Sequence, residues 1–288
     1  MVACNSCGGA SFAPVFSARG FDLVQCLACD LAQIANPLGG TALAALYGDG
    51  GGDYHAELRD RASAASRRMA RIAAAHLDFV GSVARAGRLL DLGCSTGLFL
   101  ERAAAMGFAA SGIEFSAASA RFAAGRTGLP VMTGTIHDCD EPDASFDVIT
   151  AFDVIEHVPD PGADLRRAWD LLKPGGWLVL STPNIDGLFP RASRPLAGLL
   201  GYWPHPEPPY HLFQFSVATL TELLARCGFE PGHVRHRAID LRYTFGQPAE
   251  LLRMPKRLVY ALAFAPLAAL GPLLGMGDWF YIAARKPA

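Results

Sequence analysis

The chain has 288 residues, 51 % hydrophobic and 18 % charged, enough for one large domain or two small ones around a sizeable core. Its net charge of −2 calls for no nucleic-acid or polyanion partner. Seven cysteines, four of them in two C-x-x-C pairs, point to a reducing compartment and a bound metal rather than a disulfide framework.

In chain order, residues 1–35 form a first unit. It begins "MVACNSC", without the basic and then apolar pattern of a signal peptide, so a cytoplasmic protein is expected. Cys4, Cys7, Cys26 and Cys29 bracket short β-like runs at a spacing that fits four thiolates around one structural zinc ion. So small a ribbon needs the ion to fold. It carries one arginine and no lysine against two aspartates, a poor surface for nucleic-acid phosphates. Packing on the rest of the chain, covering a substrate or mediating a homodimer are the roles left open. Residues 36–86 read as linker and N-terminal helices: a glycine-rich stretch with a short helix, then a helical pattern over Ala56–Val83.

From residue 87 to 288 strands and helices alternate. "RLLDLG", "AASGIE", "PVMTG", "FDVITAFD", "GWLVLST", "FEPGHVRHRAI" and "WFYIAARKP" read as strands. Thr96–Met106, Ala117–Gly125, Pro161–Leu172 and Ser216–Cys227 read as helices. This alternation implies βαβ units and a parallel sheet covered on both faces.

The first strand runs into "DLGCSTG", a glycine-rich turn before a helix, an arrangement that binds nucleotides. Its spacing, Asp91-x-Gly93-x-Ser95-x-Gly97, is not G-x-G-x-x-G, and no lysine follows it as in a phosphate-binding loop. Glu114 ends the next strand, where a carboxylate can grip ribose hydroxyls. A nicotinamide-binding domain is the competing reading. "LLDLGCSTG", "GIEFS" and "FDVITAFDVIEHVPDP" together resemble the class I S-adenosylmethionine-dependent methyltransferases over roughly residues 60–288. The resemblance implies an α/β, Rossmann-like fold: a seven-stranded, mostly parallel sheet with helices on both faces, preceded here by the zinc ribbon. It implies S-adenosylmethionine as cofactor. Asp91, Gly93, Cys94, Ser95 and Gly97 would form the loop, and Glu114 would bind the ribose diol. Phe115, Thr135 and Ile136 would lie by the adenine, with Phe152 across the site. Ser95 replaces the usual middle glycine and is expected at negative φ.

After the fourth strand, Asp153, Glu156 and His157 offer carboxylates and an imidazole at the sheet's C-terminal end, where ligands sit, and are candidate bases for a hydroxyl acceptor. "DVIEH" also resembles the E-x-x-E-H stretch of ubiquinone-pathway O-methyltransferases, which implies a divalent ion at Asp153, Glu156 and His157. The proline- and aromatic-rich stretch Tyr202–Ser216 follows; its His211 is either a base or a loop anchor, and Ser216 is a helix N-cap. The expectation is O-methylation of a small molecule: a sugar, a polysaccharide precursor, or a quinone-like or lipid-linked acceptor. An RNA methyltransferase with a zinc module and a non-catalytic cofactor-binding interaction protein are the alternatives.

An uncharged run, Leu258–Met276, lies before the last strand. Pro266 and Gly271-Pro272 interrupt it, and a spanning segment would part the last strand from its sheet. A helical hairpin inserted at about residues 245–276 is therefore expected. It serves lid or dimer packing, or peripheral membrane contact with Arg253, Lys256 and Arg257 at the headgroups.

Overall fold

A computed structural model of the chain describes residues 3–47 and 63–288. Three strands, β1 (Phe12–Ala18), β2 (Phe21–Cys26) and β3 (Ala32–Ile34), make the antiparallel ribbon. The short linker helix is α1 (Gly40–Tyr47). Residues 48–62, which hold the rest of the glycine-rich stretch and the start of the expected Ala56–Val83 helix, lie outside the described residues. That helix is seen as α2 (Ala64–Val80), with the Ser63 hydroxyl accepting a hydrogen bond from the Ser66 N–H.

The alternating region gives β4 (Gly87–Leu92), α3 (Leu98–Ala105), β5 (Phe108–Glu114), α4 (Ala117–Thr127), β6 (Val131–Thr133) and β7 (Phe146–Phe152). Then come α5 (Pro161–Leu171), β8 (Leu172–Pro183), α6 (Leu188–Leu200), β9 (Phe213–Gln214) and α7 (Val217–Arg226). The chain closes with β10 (Glu230–Arg237), three helices, α8 (Leu241–Phe245), α9 (Pro248–Leu251) and α10 (Pro255–Leu270), and β11 (Trp279–Arg285). Seven strands form one sheet in the order β10-β11-β8-β7-β4-β5-β6, with β11 antiparallel to both neighbours and the others parallel. From β4 the chain moves first to β5 on one side and later to β7 on the other. That switch point opens a crevice at the strands' C-terminal ends.

Side chains alternate across the sheet as a period of two requires. Leu90, Ile149, Leu178, Leu180, Phe280 and Ile282 pack toward α5 and α7. Their sequence neighbours Leu89, Val148, Val179, Tyr281 and Ala283 pack toward α2 and α3. Burial on both faces explains why these strands read as continuous apolar runs.

Three features depart from the sequence reading. Helix α6 stands outside the helices expected from the sequence, because Pro190 and Pro195 within it read as helix breakers. The insertion between β10 and β11 is no hairpin: α8 and α9 are short turns that lead into one long helix, α10, which packs on α6. And the ribbon does not end cleanly near residue 35. Strand β3 pairs with β9, so the ribbon sheet has the order β1-β2-β3-β9 and takes its edge strand from the alternating region. The Ile34 N–H donates to the Leu212 carbonyl at 2.9 Å, and Asn5 Nδ2 donates to the Pro159 carbonyl at 3.2 Å.

Candidate active site

The turn after β4 places three residues in the left-handed region, Gly93 at φ 70°, Ser95 at φ 52° and Gly97 at φ 75°. Gly93 has a second reason to lack a side chain, since a Cβ there would sit 2.7 Å from Val154 Cγ2. The turn and the segment after β7 are thereby brought into contact. Ser95 does not take the expected negative φ. Its left-handed backbone aims the N–H at Glu114 Oε2, 2.8 Å away, and that charge-assisted bond offsets the steric cost of roughly 1–2 kcal/mol for a side chain in this conformation. Cys94 is buried and packs against Gly112, where a Cβ would come within 2.7 Å of its Sγ. Burial holds its thiol protonated, so Cys94 is a packing residue. Asp91 is buried at the end of β4 and accepts a hydrogen bond from the Thr150 hydroxyl at 2.7 Å. Burial, with the nearby Glu114 charge adding to it, pushes the Asp91 carboxyl up to about 7.

Glu114 is buried with each oxygen already accepting one backbone N–H: Oε2 from Ser95 and Oε1 from Ser116 at 3.0 Å. A carboxylate has two acceptor positions per oxygen, so one remains on each, side by side, as a vicinal diol requires. Phe115, beside it, exposes 43 % of its surface. Of the pair expected near adenine, Thr135 N-caps a single 3₁₀ turn, and the Ile136 side chain is buried in the core. The sequence reading missed the acidic residue of this loop, Asp138, whose Oδ2 accepts the Thr135 N–H and hydroxyl, both at 2.8 Å. Phe152 is stacked on His76 of α2 at 3.9 Å between ring centroids and meets Phe99 edge-on at 5.0 Å. A cavity of about 140 Å³ opens beside the turn, with Ser66, Met69, Ala70, Thr96 and Leu98 in its wall.

The segment after β7 separates its three ionisable residues. Asp153, at φ 57°, accepts hydrogen bonds from the Ser181 hydroxyl at 2.5 Å and Trp279 Nε1 at 2.7 Å. It braces β8 and β11 and stands outside the group of prospective ligands. Glu156 is wholly buried, and among the described residues neither of its oxygens has a hydrogen-bond partner. Burial, reinforced by the Asp153 charge, raises its carboxyl well above the usual range. His157 Nδ1 lies 2.9 Å from the Tyr47 hydroxyl and 3.0 Å from the Tyr210 carbonyl. A carbonyl can only accept, so the proton is assigned to Nδ1 and the Nε2 lone pair is left free. That Nε2 is 4.0 Å from Glu156 Oε1. The His211 ring sits 4.8 Å from the His157 ring, and its buried Nδ1 is without a partner among the described residues. Burial lowers His157 to about 4, and burial plus the neighbouring histidines lower His211 well below its ordinary value, so both rings are neutral.

One ligand atom each from Glu156, His157 and His211 lies within 4.8 Å of the others. The prospective ion site is thus Glu156–His157–His211 and not Asp153–Glu156–His157. His211 arrives from 54 residues away because the Leu212 N–H donates to the Glu156 carbonyl at 2.8 Å. Tyr47, which fixes His157, gave no sequence signal beyond being an aromatic residue in the glycine-rich linker.

In the ribbon, Cys4 Sγ is 3.5 Å from Cys29 Sγ and Cys7 Sγ is 3.6 Å from Cys26 Sγ, and all four sulfurs fall within 4.8 Å of one another. Tetrahedral zinc with bonds of about 2.3 Å spaces its sulfurs about 3.8 Å apart, so the set fits the ion. Burial pushes the Cys26 thiol up, but the backbone N–H groups of Ala28 and Cys29 and the neighbouring Cys7 and Cys4 thiols together bring it down to about 7.

A family model described as a methyltransferase domain matches residues 58–234. The chain belongs to the class I S-adenosylmethionine-dependent methyltransferase family. A probable S-adenosylmethionine-dependent methyltransferase of Mycolicibacterium smegmatis is 31 % identical over 147 residues, 50 % of this chain and 53 % of that protein. A ubiquinone biosynthesis O-methyltransferase of Paramagnetospirillum magneticum is 44 % identical over 101 residues, 33 % of this chain and 40 % of that one. The chain thus spans about half or less of the curated relatives it matches. Among solved structures, an S-adenosylmethionine-dependent methyltransferase of Thermotoga maritima superposes with a TM-score of 0.54 at 20 % identity, over 81 % of this chain and 99 % of that one. This likeness is one of fold. The methyltransferase fits its cofactor on its own geometry: the glycine turn gives close backbone approach, and Glu114 keeps two adjacent acceptor positions.

Proposed function

We propose that the chain methylates a hydroxyl group on a small acceptor, of the phenolic or lipid-linked kind, in the cytoplasm. The observation that carries this reading is the Glu156–His157–His211 group at the end of β7, beside the cofactor turn, with Glu156 and His211 buried and His157 partly exposed. The likeness to ubiquinone biosynthesis O-methyltransferases supports the acceptor class. An RNA acceptor is disfavoured by the ribbon, whose residues 1–35 hold one arginine and no lysine.

Bound S-adenosylmethionine supplies an electrophilic sulfonium methyl, which transfers while its bond pair stays on sulfur. The chain's own residues do the rest. Glu114 anchors the ribose, and Gly93 and Gly97 let the backbone approach the methionyl part. His157 takes the acceptor's hydroxyl proton on Nε2, its ring held by the Tyr210 carbonyl and the Tyr47 hydroxyl. The oxygen thus freed attacks the methyl carbon. Alignment of the acceptor oxygen with the methyl carbon supplies much of the rate.

The orphaned oxygens of Glu156 favour a refinement. A divalent ion would be held by Glu156, His157 Nε2 and His211, and would acidify a bound hydroxyl directly. The experiment is a paired measurement. His157→Ala should cut turnover of a catechol acceptor about a hundredfold or more while cofactor affinity stays within about twofold; equal loss of both makes His157 structural and removes the reading. Uptake of Mn²⁺, followed by electron paramagnetic resonance and abolished by Glu156→Gln, would place the ion. No uptake by the wild type leaves His157 as the base.

A further inference from the structure

Helix α10 and the 3₁₀ turn after it form a 20-residue apolar stretch, Pro255–Leu274, long enough to cross a membrane, yet only 28 % of its most apolar window is buried. A core helix of that composition would be mostly covered. One stripe, Tyr260, Ala261, Phe264 and Ala268, packs against Phe189 of α6 and Phe245. The opposite stripe faces outward: Val259 and Leu262 are 67 % and 68 % exposed and Leu273 is 81 % exposed. Helix α6 adds Leu199, 84 % exposed, and Leu200. The charges of these two segments have one sign. Arg253, Lys256 and Arg257 stand at the start of α10 and Arg191 on α6, with no acidic residue between positions 251 and 277 or between 187 and 206. In a chain of net charge −2 this is a local reversal.

We propose that the α6–α10 face docks on the surface of an anionic lipid bilayer. The leucines enter the acyl boundary, and Arg253 and Lys256 meet the lipid phosphates. The helix lies in the interface and does not span: its inner stripe is packed on the domain, and the strands on either side of the insertion, β10 and β11, pair with each other. A second copy of the chain is a worse occupant, because a two-fold contact would bring two like-charged, cation-only faces together. The face also borders the active site. Met276–Asp278 leads directly into Trp279, which donates to Asp153. Tyr202, at the end of α6, packs on Tyr260 and opens the loop that carries His211. Docking here would set the acceptor side of the site at the membrane. Docking of this face does not depend on which acceptor the site takes.

The test is vesicle co-sedimentation of the zinc-loaded full chain, without cofactor or acceptor. Vesicles of phosphatidylcholine with about a third phosphatidylglycerol should capture the protein, and vesicles of phosphatidylcholine alone should capture much less. The double variant Leu262→Glu/Leu273→Glu should bind anionic vesicles at least about tenfold more weakly, and Arg253→Glu/Lys256→Glu should lose the preference for anionic lipid. The substituted side chains are exposed, so unchanged thermal melting and cofactor binding confirm that the variants fold. Failure of the wild type to bind anionic vesicles, or equal capture of the leucine variant, overturns the proposal. So does a wild-type dimer in sedimentation equilibrium that the leucine variant dissolves while vesicles capture neither protein; the face would then be a self-interface.

Discussion

Ser95 and Glu114 show how one backbone hydrogen bond can decide a site. Ser95 gives up the conformation a serine prefers so that its N–H reaches Glu114. Ser95→Gly should therefore keep cofactor affinity within about twofold and change stability little, because relief of roughly 1 kcal/mol of left-handed strain is offset by glycine's greater unfolded entropy. A large loss of affinity in calorimetry would mean the serine hydroxyl itself touches the ligand. Glu114→Gln should weaken cofactor binding by about 1.5–3 kcal/mol. Its amide NH₂ would oppose the Ser95 or Ser116 N–H and could not accept from both ribose hydroxyls. Unchanged affinity would remove Glu114 from the site. Asp153 teaches the reverse lesson. Its spacing to Glu156 and His157 suggested joint action, but a left-handed turn directs its carboxylate to Ser181 and Trp279.

The shared β3–β9 pairing gives the ribbon a structural hold on the active site. Cys4, Cys26 and Cys29 belong to the same buried cluster as Leu212, Phe213 and Ile155, and Leu212 follows His211 directly. Zinc would supply most of the ribbon's folding free energy. Removing it with a chelator, or by Cys26→Ser, should free β9 and displace His211, while the glycine turn on β4 and Glu114 on β5 stay in place. The expected outcome is a fall in turnover of about tenfold or more with cofactor affinity nearly unchanged. Equal loss of both, followed by titration calorimetry and turnover on the same samples, would mean that the ribbon holds up the whole fold.

Across the molecule, buried ionisable groups pull stability in opposite directions with pH. His76 is buried on Phe152 and lowered to about 3, chiefly by burial, with the Arg237 charge adding to it. Its unfolded form takes up a proton below about 6.5, so its share of stability is full above that pH and is lost as pH falls toward 3. Asp91, raised to about 7, does the opposite: the native state holds its proton between about 3.8 and 7, and stability falls as pH rises through that window. Each slope is at most about 1.4 kcal/mol per pH unit, so the two nearly cancel between about 4 and 6.5. His76→Phe should remove the His76 slope alone: the variant should be more stable than the wild type at pH 5, by up to about 2 kcal/mol, with the difference vanishing above pH 7. A pH-independent difference in thermal melting would mean that His76 is not buried neutral. Much of the molecule was legible in the sequence because its signals are local. The continuous apolar runs of the buried strands, the glycine turn, Glu114 and the paired C-x-x-C knuckles each follow from neighbouring residues whose backbone geometry leaves few choices. The positive φ of Ser95, the withdrawal of Asp153, the arrival of His211 and Tyr47 at His157, and the union of the ribbon with β9 are contacts between distant segments. No periodicity encodes them; they were decided only when the folded chain closed its hydrogen bonds and filled its core.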